Sequence, residues 1–192
     1  YASESKTLVN RIGLTRNRPG ADSSLAITQN INSYVTRTEN TAATLRHKQL
    51  LGTGSELGTV FDYTSFTSSQ QTRARLTSNV LFERDEHNFD WHISAKKFTD
   101  LSDEAFAGQS GFGGIESTPE VGIVTDTSRL HRTLFGLPAT LKFNYGEYNE
   151  ITSNTEEART YLALDTPVRR FDLGGNWSLG AGGGFKQYAY SD

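Results

Sequence analysis

The chain has 192 residues, a hydrophobic fraction of 35%, a charged fraction of 21%, a net charge of −3 at pH 7 and no cysteine. The absence of cysteine excludes disulfides and thiolate metal centres, and Lys and Arg scattered along the chain argue against a nucleic-acid partner. Its apolar runs are a few residues long, which excludes a transmembrane helix but not a sheet whose apolar residues occupy alternate positions.

Residues 6–15 place Leu8, Ile12 and Leu14 on one face, interrupted by Asn10. Pro19-Gly20-Ala21-Asp22 then predicts a turn, because Pro fixes φ and Gly tolerates positive φ. The next predicted strand, residues 24–37, sets Leu25, Ile27, Ile31 and Val35 against Thr28, Asn30, Asn32 and Thr36, and Glu39-Asn40 is expected to close the hairpin. Residues 41–51 read as a weaker strand and Gly52-Thr53-Gly54-Ser55 as a break or bulge. Leu57, Thr59, Phe61 and Tyr63 line one face before a polar turn, Thr67-Ser68-Ser69-Gln70-Gln71.

The hairpin over residues 73–98 carries the clearest pattern. In its second arm Phe89, Trp91, Ile93 and Ala95 alternate with Asn88, Asp90, His92, Ser94 and Lys96. Its first arm sets Ala74, Leu76, Ser78, Val80 and Phe82 against Arg75, Thr77, Asn79 and Glu83, although Leu81 breaks the polar row. Side chains in a strand alternate between faces, so both arms have one apolar and one polar face. Each arm runs for about ten residues, the length of a tilted membrane-crossing strand, where soluble strands cluster near about five or six. Arg84-Asp85-Glu86-His87 is expected to close the hairpin.

Residues 99–118, rich in Gly, Ser and acid, are expected to be irregular and, in a barrel, a loop outside the membrane. A short strand over 119–125 and a turn at Asp126-Thr127-Ser128 follow. Residues 137–147 are strongly amphipathic, with Leu137, Ala139, Leu141, Phe143 and Tyr145 alternating with Pro138, Thr140, Lys142, Asn144 and Gly146. Pro138 lacks an N–H and is expected at the strand's start or at a bulge. A polar loop is predicted over 148–157. Thr160, Leu162 and Leu164 then alternate with Arg159, Tyr161 and Asp165, and Asp165-Thr166-Pro167 predicts a turn. Phe171, Leu173, Gly175, Trp177 and Leu179 alternate with Asp172, Gly174, Asn176 and Ser178, and Ala181, Gly183 and Phe185 lead to Tyr188 and Tyr190.

About ten strands with short turns and no convincing helix predict an all-β antiparallel meander, one domain over residues 1–192. The meander is expected to form a transmembrane β-barrel or part of a larger one. A soluble β-sandwich competes, since its apolar faces meet in a core while its charges face water. Three features favour the membrane: long strands, apolar faces that mix Gly, Ala and Ser with large residues, and aromatics near strand ends. Phe98, Tyr145, Tyr148, Tyr188 and Tyr190 are expected to form an interfacial girdle. The candidate lumen-facing polar residues are Arg75, Glu83, Asp90, His92, Lys96, Lys142, Asn144 and Asp165.

No catalytic, cofactor-binding or metal-ligating set emerges, and the protein is not expected to be an enzyme. His87 and His92 are five apart, so one strand would turn them to opposite faces, away from a shared metal. Gly108-Gln109-Ser110-Gly111 lacks both the closing Gly and the strand–turn–helix context of a nucleophile elbow. Gly180-Ala181-Gly182-Gly183-Gly184 lacks the spacing of a phosphate loop, and the sequon Asn176-Trp177-Ser178 falls within a predicted strand. His92 and Ser94 do share a face, which keeps a barrel-embedded lipid hydrolase as a further alternative.

The region from residue 98 resembles the barrel of the lipopolysaccharide-assembly outer-membrane protein LptD family. The resemblance rests on a loop after SAKKFTDLSD (94–103), then STPEVGI (117–123), GLPATLKFNYGEYNE (136–150), ARTYLALDTP (158–167) and LGGNWSLGAGGGFKQYAYSD (173–192). It covers about half the chain, and the earlier half agrees only in hairpin rhythm. The resemblance implies a translocon in the outer membrane of a Gram-negative-type cell. It would receive lipopolysaccharide from a periplasmic bridge protein, release it to the outer leaflet, and hold a lipoprotein plug inside its barrel. The family's periplasmic domain and cysteines are absent, no apolar leader segment is found, and no aromatic residue closes the chain at Tyr190-Ser191-Asp192. A mature chain or a fragment of a longer barrel is therefore expected.

Overall fold

The computed structural model describes residues 6–33, 36–68, 71–103, 114–130, 138–174 and 177–191. They form ten strands: β1 Lys6–Arg18, β2 Ala21–Ser33, β3 Arg37–Gly52, β4 Ser55–Ser68, β5 Gln71–Asp85, β6 Asp90–Asp100, β7 Ile115–Asp126, β8 Thr140–Glu150, β9 Thr155–Gly174 and β10 Trp177–Ser191. All ten belong to one antiparallel sheet, and each pairs with its neighbours in chain order. The all-β meander expected from the sequence is thus present. A closed barrel is not: β1 and β10 are both edges, unpaired with each other among the described residues, so of the two forms expected, a barrel or part of a larger one, the closed barrel is not the form of this chain.

Several predicted turns lie inside strands. Glu39-Asn40 belongs to β3, where Asn40 pairs with Asn30 and Phe66. The polar stretch 148–157 is split between β8 and β9, leaving residues 151–154 as the turn, with Asn154 at φ 50°. The expected irregular stretch 99–118 gives Thr99 and Asp100 to β6, and β7 begins at Ile115, earlier than the predicted 119–125. The nucleophile-elbow lookalike at 108–111 falls outside the described residues. The cause is common to these cases. Hydrophobic alternation stops where the apolar band stops, but the backbone ladder continues through polar residues because each N–H and C=O still needs a partner.

Asp165-Thr166-Pro167 also lies within a strand, because β9 runs through it. The register skips there, Thr166 facing Gly183 and Arg169 facing Ala181. The Thr166 hydroxyl donates to the Gly183 carbonyl and accepts its N–H, both at 2.8 Å. A side chain thus supplies the bonds that a bulge at a proline interrupts. Pro138 precedes β8 and sits outside the ladder, as a residue without an N–H must. At Gly54, φ is 73° and an added Cβ would lie 2.7 Å from the Asp85 carbonyl oxygen, so the β3–β4 turn requires glycine.

The register sorts the side chains into two faces. One row of the apolar face runs Leu57, Phe82, Ile93, Val121 and Tyr145 across β4 to β8, and the next runs Trp91, Ile123, Phe143 and Leu162 across β6 to β9. No second layer covers this face among the described residues. In β8, Leu141, Phe143 and Tyr145 are 41%, 40% and 39% exposed, while the alternate Thr140, Lys142 and Asn144 are half-buried and Gly146 is buried. Burial is therefore inverted relative to a soluble sheet: the apolar side is the bare one.

Candidate functional site: the polar face of the sheet

All eight polar residues singled out from the sequence fall on the face opposite the apolar rows. One cross-strand row reads Glu83, His92, Gly122, Asn144, Tyr161 and Tyr188 over β5 to β10. The next reads Asp90, Val124, Lys142, Ala163 and Lys186. Arg75 pairs with Asp100 and Lys96 with Asn79, and Asp165 lies between Thr140 and Gly184.

The eight share a face without forming one cluster. At the end of the sheet holding the β6–β7 connection, the Arg75 guanidinium and the Lys96 ammonium stand 4.9 and 4.8 Å from the centre of the Phe98 ring, within cation–π range. Near the middle, the His92 ring and the Asn144 amide occupy the space above Gly122, where an added Cβ would meet them at 2.1 and 2.6 Å. The Asn144 amide donates to Glu120 at 3.2 Å. At the opposite end, Asp90 accepts a hydrogen bond from Arg129 at 2.7 Å, and Arg129 also reaches Asp85 at 3.5 Å and Asp126 at 3.7 Å. The Asp90 hydrogen bond holds the guanidinium pKa of Arg129 above its ordinary value.

Sequence reasoning missed Glu120, Arg129, Arg159 and the aromatic content of this face. Phe98 pairs with Thr77, Tyr148 with Ser117, Tyr188 with Tyr161 and Tyr190 with Arg159, so four of the five expected girdle aromatics are on the polar side. Only Tyr145, paired with Val121, keeps an apolar-face position. For two of them the missing signal was parity: position near a strand end does not tell which face a residue occupies, whereas counting in twos from Lys96 to Phe98 and from Lys142 to Tyr148 does.

His92 and Ser94 are both on this face, with no hydrogen bond between them among the described residues. A different Ser–His pair exists on the apolar side, where Ser23 Oγ and His47 Nδ1 lie 2.8 Å apart. No acid orients that imidazole through a hydrogen bond among the described residues. None of the described His, Asp and Glu side chains form a group of three arranged around a common metal position.

No family model, no curated protein and no solved structure matches this chain. The resemblance to the lipopolysaccharide-assembly family therefore stands on the quoted segments alone.

Proposed function

We propose that the sheet is part of the wall of an outer-membrane β-barrel, with its apolar face toward lipid and its polar face toward a hydrated lumen. The observation that carries this is the inverted burial of β8 and its neighbours. In water, bare Leu141, Phe143, Tyr145, Ile93 and Ile123 form an unfavourable contiguous patch; in a bilayer they meet hydrocarbon.

The slant of the apolar band adds support. Its centre is near Ile12 in β1 and near Ile93 in β6, yet Ile93 is level with Arg18 through Phe82, Leu57, Gln49 and Ala21. The band thus shifts six residues along the strands across five strand spacings. At about 3.3 Å per residue and about 4.8 Å per spacing, the strands are inclined by about 40° to the normal of the band. Membrane barrels tilt their strands by about 35–45°. The two free edges need strand partners in lipid, where unpaired backbone groups are costly, so the sheet is read as a sector of a larger barrel.

Within that reading, the role is transport, in lipopolysaccharide delivery to the outer leaflet, as the resemblance implies. A lipoprotein plug and a periplasmic bridge protein are the implied partners, and catalysis is not part of the role. The test is mobility of the folded full chain on gels with and without boiling, and its solubility with and without detergent. A detergent requirement and a heat-dependent shift support the barrel; a folded monomer in plain buffer favours the soluble module and removes the transport reading.

A further inference from the structure

The apolar face is interrupted on β1 to β3. Between the row Ile12, Ile27 and Ala43 and the pair Leu8 and Ile31 lies a polar row, Asn10, Gln29 and Thr41. Its side chains are joined into a string. The Asn10 amide donates to Gln29 Oε1 at 3.0 Å, the Gln29 amide donates to Glu39 Oε1 at 2.6 Å, and Glu39 Oε2 stands 3.7 Å from the Arg37 guanidinium. Gln29 and Glu39 belong to inner strands, so their placement does not depend on the free edge at β1. Asn10 is two residues from Ile12, about 5 Å from the centre of the apolar band at about 3.3 Å per residue and an incline of about 40°.

Amides at that depth are costly against hydrocarbon, where no water completes their hydrogen bonds. Asn10 and Gln29 each keep one amide N–H, and Asn10 its carbonyl oxygen, without a partner among the described residues. A second protein surface satisfies them if it brings donors and acceptors to the same depth. Another copy of this chain, inserted in the same direction, does so by symmetry. A two-fold axis along the membrane normal leaves depth unchanged, so the string of one copy faces the string of the other. A primary amide carries both donors and an acceptor and therefore pairs with its own kind. Leu8, Ile12, Ile27 and Ile31 flank the string and supply apolar packing at the same contact. We propose that the apolar face of β1 to β3 is a homodimer interface within the membrane, joined by hydrogen bonds between the Asn10–Gln29 amides of two copies. The proposal rests on the lipid-facing reading given above and goes beyond it by assigning part of that face to a second copy.

The experiment is sedimentation equilibrium of the full chain in density-matched detergent micelles, with heat-dependent gel mobility read on every sample. The unaltered chain is expected to dimerise. Asn10→Leu with Gln29→Leu is expected to weaken the dimer by about tenfold or more while heat-dependent mobility is kept. Asn10→Gln, which keeps an amide at the position, is expected to retain the dimer. In vesicles, Ile27→Cys, beside the string, is expected to form a disulfide between copies on oxidation, and Ile123→Cys, on the apolar face of β7, is not. An unaltered chain that is monomeric with its heat-dependent mobility intact overturns the interface and leaves the membrane reading standing. A dimer that survives the double leucine change also overturns it, because pairing along the free strand edges needs no amide. A chain that folds in plain buffer fails the membrane reading instead, whatever its oligomeric state.

Discussion

Replacing Ile93 by Arg separates a lipid-facing sheet from a water-facing one by a large margin. Ile93 lies on the apolar face between Phe82 and Val121 and is 42% exposed. If that exposure is to hydrocarbon, an arginine near the bilayer midplane costs about 2–4 kcal/mol. That is about 30- to 1,000-fold in the folding equilibrium, at about 1.4 kcal/mol per factor of ten. If the exposure is to water, the same change at a half-exposed strand position costs about 0.5 kcal/mol or less. The assay is denaturant titration of the chain folded into lipid vesicles, followed by the fluorescence of Trp91, beside Phe82 at 5.2 Å. Ser94→Arg on the polar face, paired across the ladder with Glu120, serves as the control and is expected to change little. An Ile93→Arg variant that inserts and titrates like the unaltered chain refutes the assigned orientation.

Other outcomes follow from local geometry. Gly122→Ala places a methyl where the ends of the His92 and Asn144 side chains now sit; both can swing aside, so a loss of about 1 kcal/mol or less is expected by denaturation, with the His92 ring resonances displaced in NMR spectra. Thr166→Val removes the hydroxyl that bonds both backbone groups of Gly183, and about 1–2 kcal/mol of stability should go with it. Unchanged stability there would mean that water replaces the hydroxyl without cost. Arg129→Ala breaks contacts to Asp85, Asp90 and Asp126, all partly exposed; a small loss of stability is expected at low salt, and the difference should fade in molar salt, as measured by melting of both proteins in each condition.

Alternation made the faces of the sheet legible, because a period of two needs only a few consecutive residues to be read. It paired Arg75, His92, Lys96, Lys142 and Asn144 with the correct side without any knowledge of neighbouring strands. Strand ends were less legible. Turn-forming composition at Glu39-Asn40 and Asp165-Thr166-Pro167 marks where side chains become polar, while the ladder ends only where backbone pairing ends. Cross-strand register was not legible at all, and the candidate site depends on it. Tyr188 meets Tyr161, and Arg159 meets Tyr148, through pairings between residues distant in sequence. The bulges at Ser117/Glu120 and Thr166/Arg169 add single-residue offsets that no pattern along one strand reveals.

The central claim is that alternate residues of β8 face lipid and water, and the absence of native cysteine allows it to be tested one position at a time. Single cysteines at Leu141, Lys142, Phe143 and Asn144, spin-labelled in vesicle-bound protein, report their surroundings through collision with oxygen dissolved in lipid or with a nickel chelate dissolved in water. The account predicts that labels at 141 and 143 collide with oxygen and those at 142 and 144 with the chelate. Chelate access at all four positions, or lipid access at 142 and 144, contradicts it.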